Sequence, residues 1–263
     1  MFKNVIMFGN KLGQLKNGVD NAPNVLSGLI RKNINQNKIN ISNNLTSNLL
    51  NLYDKNISID GPKINIGGDH SMSIATVADS LERHKNLRVI WMDAHCDINT
   101  YEKSLSKNYH GMPLSILTGI EENKSLNFTD KVLDFKNLLY IGIRDIDPFE
   151  KEVLDKYKIK SISISDIDKD INKSIIDMKR FIDNEPVHLS FDVDVLDPLV
   201  MPSTGTPVNN GLKIEPCKII LDTLLKENLV SVDITELNPE IGDNLERSKS
   251  VNNLVYLFNN YLF

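Results

Sequence analysis

Short apolar runs of strand type recur along this chain, and they constrain its fold more than any other feature. They lie at Val5–Phe8, Ile64–Ile66, Leu87–Met92, Leu138–Ile143, Ile159–Ile164, Val187–Val193 and Leu229–Ile234. Between several of them the apolar spacing turns helical. Ser71–His84 carries Ile74, Val77 and Leu81 on one face, and Ile171–Ile182 and Ile214–Leu225 are spaced alike. Strands that alternate with helices build βαβ units and a mainly parallel sheet. Near-continuous apolar strands require cover on both faces of that sheet.

Size and composition agree with an α/β fold. With 263 residues, 41% hydrophobic and 25% charged, the chain is long enough to bury a large core as one domain, residues 1–263. No repeat or Pro/Ser-rich linker divides it. The asparagine-rich stretch from Asn33 to Asn56 reads as helix and loop packed around Leu45, Leu49, Leu50 and Leu52. A net charge of −5, without a long basic block, argues against nucleic acid as the main partner. No stretch approaches the ~18 apolar residues of a membrane span. The first residues lack the apolar core and cleavage site of a signal peptide. Cys96 and Cys217 are too few for a disulfide framework and match no zinc-finger spacing. A soluble cytoplasmic protein is expected.

The polar residues carry the functional signal. Four predicted strands run into acidic or histidine clusters: Gly67-Gly68-Asp69-His70, Asp93-Ala94-His95-Cys96-Asp97, Asp192-Val193-Asp194 and Asp233-Ile234-Thr235-Glu236. Ligands of open α/β sheets bind beyond the carboxyl ends of the strands, so the clusters should converge on one edge. Asp93, His95 and Asp97 fall on one side if that segment stays extended, as do Asp192 and Asp194. Apolar residues precede both motifs, and buried carboxylates need positive partners. No lysine or arginine lies within either motif. A lone DxD is usually a solvated turn, but the combination is different. His70, Asp93, His95, Asp97, Asp192 and Asp194 offer more ligands than one ion with open positions needs. Oxygen-rich sites with some imidazole suit manganese, and a bridged pair of ions is the economical reading.

The segments Gly67-Gly68-Asp69-His70-Ser71, Asp93-Ala94-His95-Cys96-Asp97-Ile98-Asn99-Thr100 and Ser190-Phe191-Asp192-Val193-Asp194-Val195-Leu196-Asp197-Pro198 resemble the three signatures of the ureohydrolases, and among them those of the arginase family. The similarity runs from about Gly18 to Pro239. It implies a three-layer α/β/α sandwich with a central, mainly parallel sheet and two manganese ions per subunit. By the same resemblance His70, Asp93, Asp97 and Asp192 hold one ion. His95, Asp93, Asp192 and Asp194 hold the other, and Asp93 and Asp192 bridge. A hydroxide between the ions attacks the guanidinium carbon of L-arginine, giving L-ornithine and urea. His110 is the implied proton shuttle, a role that suits imidazole. Glu236 pairs with the guanidinium, and Thr206 lines the same pocket.

Agmatinases share the metal motifs, so the choice of substrate rests on other residues. Asn99, Ser104 and Ser106 stand where arginases contact the α-carboxylate. Asp147 and Glu150 resemble the acids around the α-amino group. The resemblance therefore favours L-arginine as the small-molecule partner, with agmatine or another guanidino compound as the alternative. A non-catalytic metal-binding homologue would have no need of His110 and Glu236, and a one-zinc deacetylase would need fewer ligands. Lys107 stands where the family often has glycine. Cys96 should point away from the metals as a small core residue. His188 reads as structural, and His84 as exposed at a helix end. The chain stops soon after its last helix, whereas a trimer or hexamer is usual in the family.

Overall fold

In the computed structural model, which describes residues 2–263, each of the seven apolar runs forms a strand of one sheet. These are β1 (Asn4–Phe8), β3 (Lys63–Gly67), β4 (Arg88–Met92), β5 (Leu138–Ile141), β6 (Lys160–Ile162), β7 (Val187–Asp192) and β8 (Leu229–Thr235). An eighth strand, β2 (Asn35–Lys38), comes from the asparagine-rich stretch that reads as helix and loop. Its sequence, Asn-Gln-Asn-Lys, has no apolar residue. It is an edge strand, largely exposed and held by parallel pairing to β1. The strand order is β2-β1-β3-β8-β7-β4-β5-β6, and every pairing is parallel.

Side chains alternate across a strand, so each strand feeds two layers. On one face Val5, Met7, Ile64, Ile90, Leu189 and Val232 pack against α1 (Ala22–Ser27), α7 (Ile171–Ile182), α8 (Ile214–Leu224) and α9 (Asn244–Phe258). On the other, Ile6, Phe8, Val89, Trp91 and Tyr140 meet α2 (Leu45–Ile57), α3 (Ser73–Arg83), α4 (Pro113–Leu117) and α5 (Pro148–Tyr157). The remaining helix, α6 (Ile164–Lys169), leads directly into α7. The result is a three-layer α/β/α sandwich. Each large side chain fully withdrawn from water contributes about 1.5–3 kcal/mol, so Trp91, Phe8 and Phe191 anchor the layers.

Three local expectations change. Leu49 and Leu52 of α2 are buried, but Leu50 is exposed, because the third leucine falls on the outer face of the helix. His84 caps α3 half-buried rather than exposed. Most consequentially, the middle of the sheet is apolar on one face only. Facing α3, the strands β3, β7 and β8 present Asn65, His188, Ser190, Ser231 and Asp233, all buried.

Candidate active site

Four adjacent central strands, β3, β8, β7 and β4, end at the same edge, and the chain beyond each carries the acidic and histidine clusters. After β3 the backbone turns at Gly68, where a Cβ would lie 1.9 Å from the carbonyl oxygen of Asn10. Only glycine allows that approach. Asp69 then caps the short turn His70–Met72 by accepting from Ser71 N at 3.0 Å. Its other oxygen accepts from Gly13 N and Asn10 Nδ2, tying the loop after β1 to the turn. The His70 ring is thereby aimed at the sheet edge and stacked on Trp91, with centroids 4.3 Å apart.

Around His70 Nδ1 lie three carboxylate oxygens: Asp97 Oδ2 at 2.9 Å, Asp93 Oδ2 at 3.1 Å and Asp192 Oδ2 at 3.1 Å. His95 Nδ1 stands 3.1 Å from Asp194 Oδ2 and 3.4 Å from Asp93 Oδ1. Two groups that could hold a metal ion follow, His70 with Asp93 and Asp97, and Asp93 with His95 and Asp194. Asp93 belongs to both and gives each a different oxygen. The Asp93–Asp97 segment is not extended as expected. It bends after β4, and Asp97 adopts φ +51°, a left-handed conformation rare for residues other than glycine. That kink, rather than strand alternation, swings Asp97 beside His70.

The electrostatics call for added positive charge. Burial, with Asp194 and Asp93 as neighbours, pushes Asp192 well above the usual carboxylate range. Burial and Asp93 hold Asp97 at about 6. Burial works against a charged His95, but Asp194 and Asp93 outweigh it and push the imidazole up to about 12. The nearest arginine, Arg144, spends its guanidinium on carbonyl oxygens, including those of Asp194 at 2.8 Å and Val208 at 2.8 Å. His70 Nδ1 is buried without a hydrogen-bond partner despite the three oxygens around it. Three carboxylate oxygens around one ring nitrogen need positive charge among them, which a metal ion supplies. Without one, burial opposes a charged His70 ring, but Asp97 and the contacts with Asp192 and Asp93 outweigh it and push the imidazole well above its ordinary range. The donor set of imidazole and carboxylate, free of thiolate, fits a manganese-type ion.

A cavity of about 200 Å³ opens above these groups. Its wall includes His70, His95, Asp97, Asp192 and His110 at one end, and Asn99, Ser104, Ser106, Asp147, Glu150 and Thr206 around the rest. Asn99 Nδ2 donates to Asp147 Oδ2 at 2.8 Å, and Ser104 Oγ lies 3.3 Å from Ser106 Oγ. Thr206 Oγ1 donates to Asp194 Oδ2 at 3.1 Å. The Glu150 carboxylate accepts from the backbone N–H groups of Asp147 and Ile98, which makes it a brace between α5 and the metal-side loop. Burial lifts it to about 8. Glu236, left-handed at φ +63°, is buried behind His110 instead of lining the cavity. It accepts from His70 N at 2.9 Å and Gln14 Nε2 at 2.7 Å and pairs with His110 Nδ1 at 3.0 Å.

Sequence reasoning missed Gln14, Trp91 and Asp145. Asp145 lines the cavity 3.7 Å from His95 Nε2, and its place two residues before Asp147 was the only available signal. Cys96 and His188 behave as expected, the first in the apolar core and the second buried between Ser80 and Asp233. Lys107 also has a physical account. It sits at φ +59°, and its ammonium bonds the carbonyls of Tyr101 and Glu102 at 2.6 and 2.9 Å. The left-handed backbone costs about 1–2 kcal/mol for a side chain with Cβ. Lys107→Gly is therefore expected to be about 1 kcal/mol more stable than Lys107→Ala in urea denaturation. Equal stability of the two variants would contradict this account of the loop.

A sequence profile of the Arginase family matches residues 14–258. The arginase of Schizosaccharomyces pombe is 36% identical over 252 residues, covering 92% of this chain and 77% of that protein. The arginase of Neurospora crassa is 44% identical over 192 residues, or 68% of this chain; the match spans about half of that relative, 54% of its length. The crystal structure of Entamoeba histolytica arginase in complex with L-ornithine superposes with a TM-score of 0.89. It is 30% identical and is matched over 98% of this chain and 99% of the other. With the profile and the Schizosaccharomyces pombe relative both extending over most of its length, this chain belongs to the arginase family.

Proposed function

We propose that the chain hydrolyses L-arginine to L-ornithine and urea with two manganese ions. The observation that carries the reading is His70 Nδ1, buried and unpartnered among three carboxylate oxygens, beside a second histidine–carboxylate group that shares Asp93. His70, Asp93, Asp97 and Asp192 would hold one ion, and His95, Asp93, Asp192 and Asp194 the other. When bound, a manganese pair supplies a nucleophilic hydroxide near neutral pH.

The remaining work falls to the chain's own residues. Hydroxyls of Ser104 and Ser106 and the amide of Asn99 offer donors for the α-carboxylate, and Asp147 offers an acceptor for the α-ammonium. Glu150 keeps Asp147 in place through its backbone. Thr206 steadies Asp194 from the facing loop. Glu236 holds the Nδ1 side of His110, leaving Nε2 to give a proton to the departing amine of ornithine. Pairing of Glu236 with the guanidinium belongs to the same reading and requires it to exchange its contact with Gln14 or His110. The ornithine bound in the Entamoeba histolytica enzyme, a product of this reaction, supports the choice of substrate. Assembly as a trimer or hexamer in the cytoplasm is part of the proposal. No described helix is long and apolar enough to cross a membrane.

The test is urea release by manganese-loaded protein from L-arginine and from agmatine, side by side. A pocket that hydrogen-bonds the α-carboxylate should favour arginine in kcat/KM by on the order of 10³-fold or more. Urea from agmatine alone would keep the metal reading and overturn the roles given to Asn99, Ser104 and Ser106. No urea from either, with two ions bound, would overturn the reaction.

A further inference from the structure

Beneath the candidate metal centre runs a buried hydrogen-bond chain whose direction is fixed by its far end. Asp233, on β8 and fully enclosed between the sheet and α3, has no lysine or arginine against it among the described residues. Its Oδ1 accepts from Asn65 Nδ2 at 2.9 Å. Its Oδ2 accepts from the hydroxyls of Ser73, at 2.9 Å, and Thr76, and lies 3.0 Å from His188 Nε2. Burial alone would raise this carboxyl, but His188 with the Thr76 and Asn65 hydrogen bonds brings it below the ordinary carboxylate range. It is an anion and can only accept.

Proton counting does the rest. Ser73 has one hydroxyl proton, and it goes to Asp233. Ser73 Oγ can then only accept from Ser190 Oγ, 3.1 Å away. With its proton spent on Ser73, Ser190 Oγ can only accept from His70 Nε2 at 2.8 Å. His70 must therefore carry a proton on Nε2, so that in the neutral ring Nδ1, which faces Asp93, Asp97 and Asp192, is the nitrogen with the lone pair. We propose that Asp233, acting through Ser73 and Ser190, is a positioning residue that sets the tautomer of His70 so that Nδ1 is free to ligate. This rests on the reading of His70 as a metal ligand. It also gives a reason for the polar stripe in an otherwise apolar sheet.

Two variants on α3 separate this role from simple packing. Ser73→Ala and Thr76→Val each remove one hydroxyl from the same carboxylate oxygen, but only Ser73 lies on the path to His70. Ser190→Ala removes the acceptor itself. Binding of Mn²⁺ alone is followed by electron paramagnetic resonance titration, with thermal melting of each metal-free protein alongside. Ser190→Ala is expected to weaken one of the two sites by about 10–100-fold, the usual effect of losing such a partner. Ser73→Ala should weaken the same site to a smaller degree. Thr76→Val should leave Mn²⁺ affinity unchanged even if its melting point falls. Wild-type affinity in Ser190→Ala, or equal losses in Ser73→Ala and Thr76→Val, would overturn the relay alone. Failure of the wild-type protein to bind Mn²⁺ would overturn the metal reading, and the relay with it.

Discussion

Asp93→Asn is expected to lower urea release from L-arginine by on the order of 10³-fold or more, a loss of about 4 kcal/mol in transition-state stabilisation. Of the two compact groups, His70 with Asp93 and Asp97, and Asp93 with His95 and Asp194, Asp93 is the shared member. Its Oδ2 faces His70 at 3.1 Å and its Oδ1 faces His95 at 3.4 Å, so one substitution damages both ends of the centre. The same oxygens accept from Trp91 Nε1 at 2.9 Å and His95 N at 2.7 Å. An asparagine can accept at one of these positions only, and its NH₂ then opposes an N–H donor at the other. The lost charge matters most when metal is present. A ligand that binds only the folded state stabilises it by about 2.7 kcal/mol at a hundred times its Kd. Wild-type protein should therefore melt at a higher temperature as Mn²⁺ is added, and Asp93→Asn should not respond. A variant that keeps both the melting shift and the urea release would remove Asp93 from the centre.

Much of this was readable from the sequence, and the exceptions share a cause. Apolar periodicity finds strands that bury side chains, which is why β1, β3, β4, β5, β6, β7 and β8 were legible and β2 was not. Asn35–Lys38 buries almost nothing and is a strand only because β1 offers it an edge. The candidate ligands were legible because their spacing follows strand ends, yet the reason Asp97 reaches His70 was not. The left-handed backbone at Asp97 falls on a residue type that tolerates it, but aspartate is too common elsewhere to announce it, and at Glu236 residue type gives no sign at all. Lys107 is the reverse case, a left-handed position visible as a departure from glycine. The alternation His188-x-Ser190-x-Asp192 and Ser231-x-Asp233-x-Thr235 was open to inspection from the start. Its meaning needed the partners Ser73 and Thr76 on α3, which sequence spacing cannot supply. Gln14 reaches Glu236 across more than two hundred residues, and no local pattern announces that contact.

His110→Asn should reduce kcat by about 10²–10⁴-fold near pH 8, the usual share of a general acid, with KM for arginine much less affected. The pH dependence is the sharper signature. Burial disfavours the charged imidazole, but the hydrogen bond and charge of Glu236 outweigh it and hold His110 at about 9, against an ordinary 6.5. Glu236 in turn is lowered from 4.5; burial would raise it, but His110 and the His70 N–H outweigh that. Because the imidazole is raised on folding, its stabilising contribution is complete below pH 6.5 and is lost as pH rises through about 9. The lowered carboxylate contributes above pH 4.5 and loses its share as pH falls through its folded value. The gap in melting temperature between wild type and His110→Asn should be widest between pH 4.5 and 6.5 and close above about 9. If His110 donates the proton to the leaving amine, the wild-type advantage in kcat must also shrink at high pH as the imidazole empties, by about tenfold per pH unit once it has lost its proton. A melting gap that closes while the kcat ratio stays constant from pH 7 to 10 would leave His110 a structural partner of Glu236 and assign the proton to another donor.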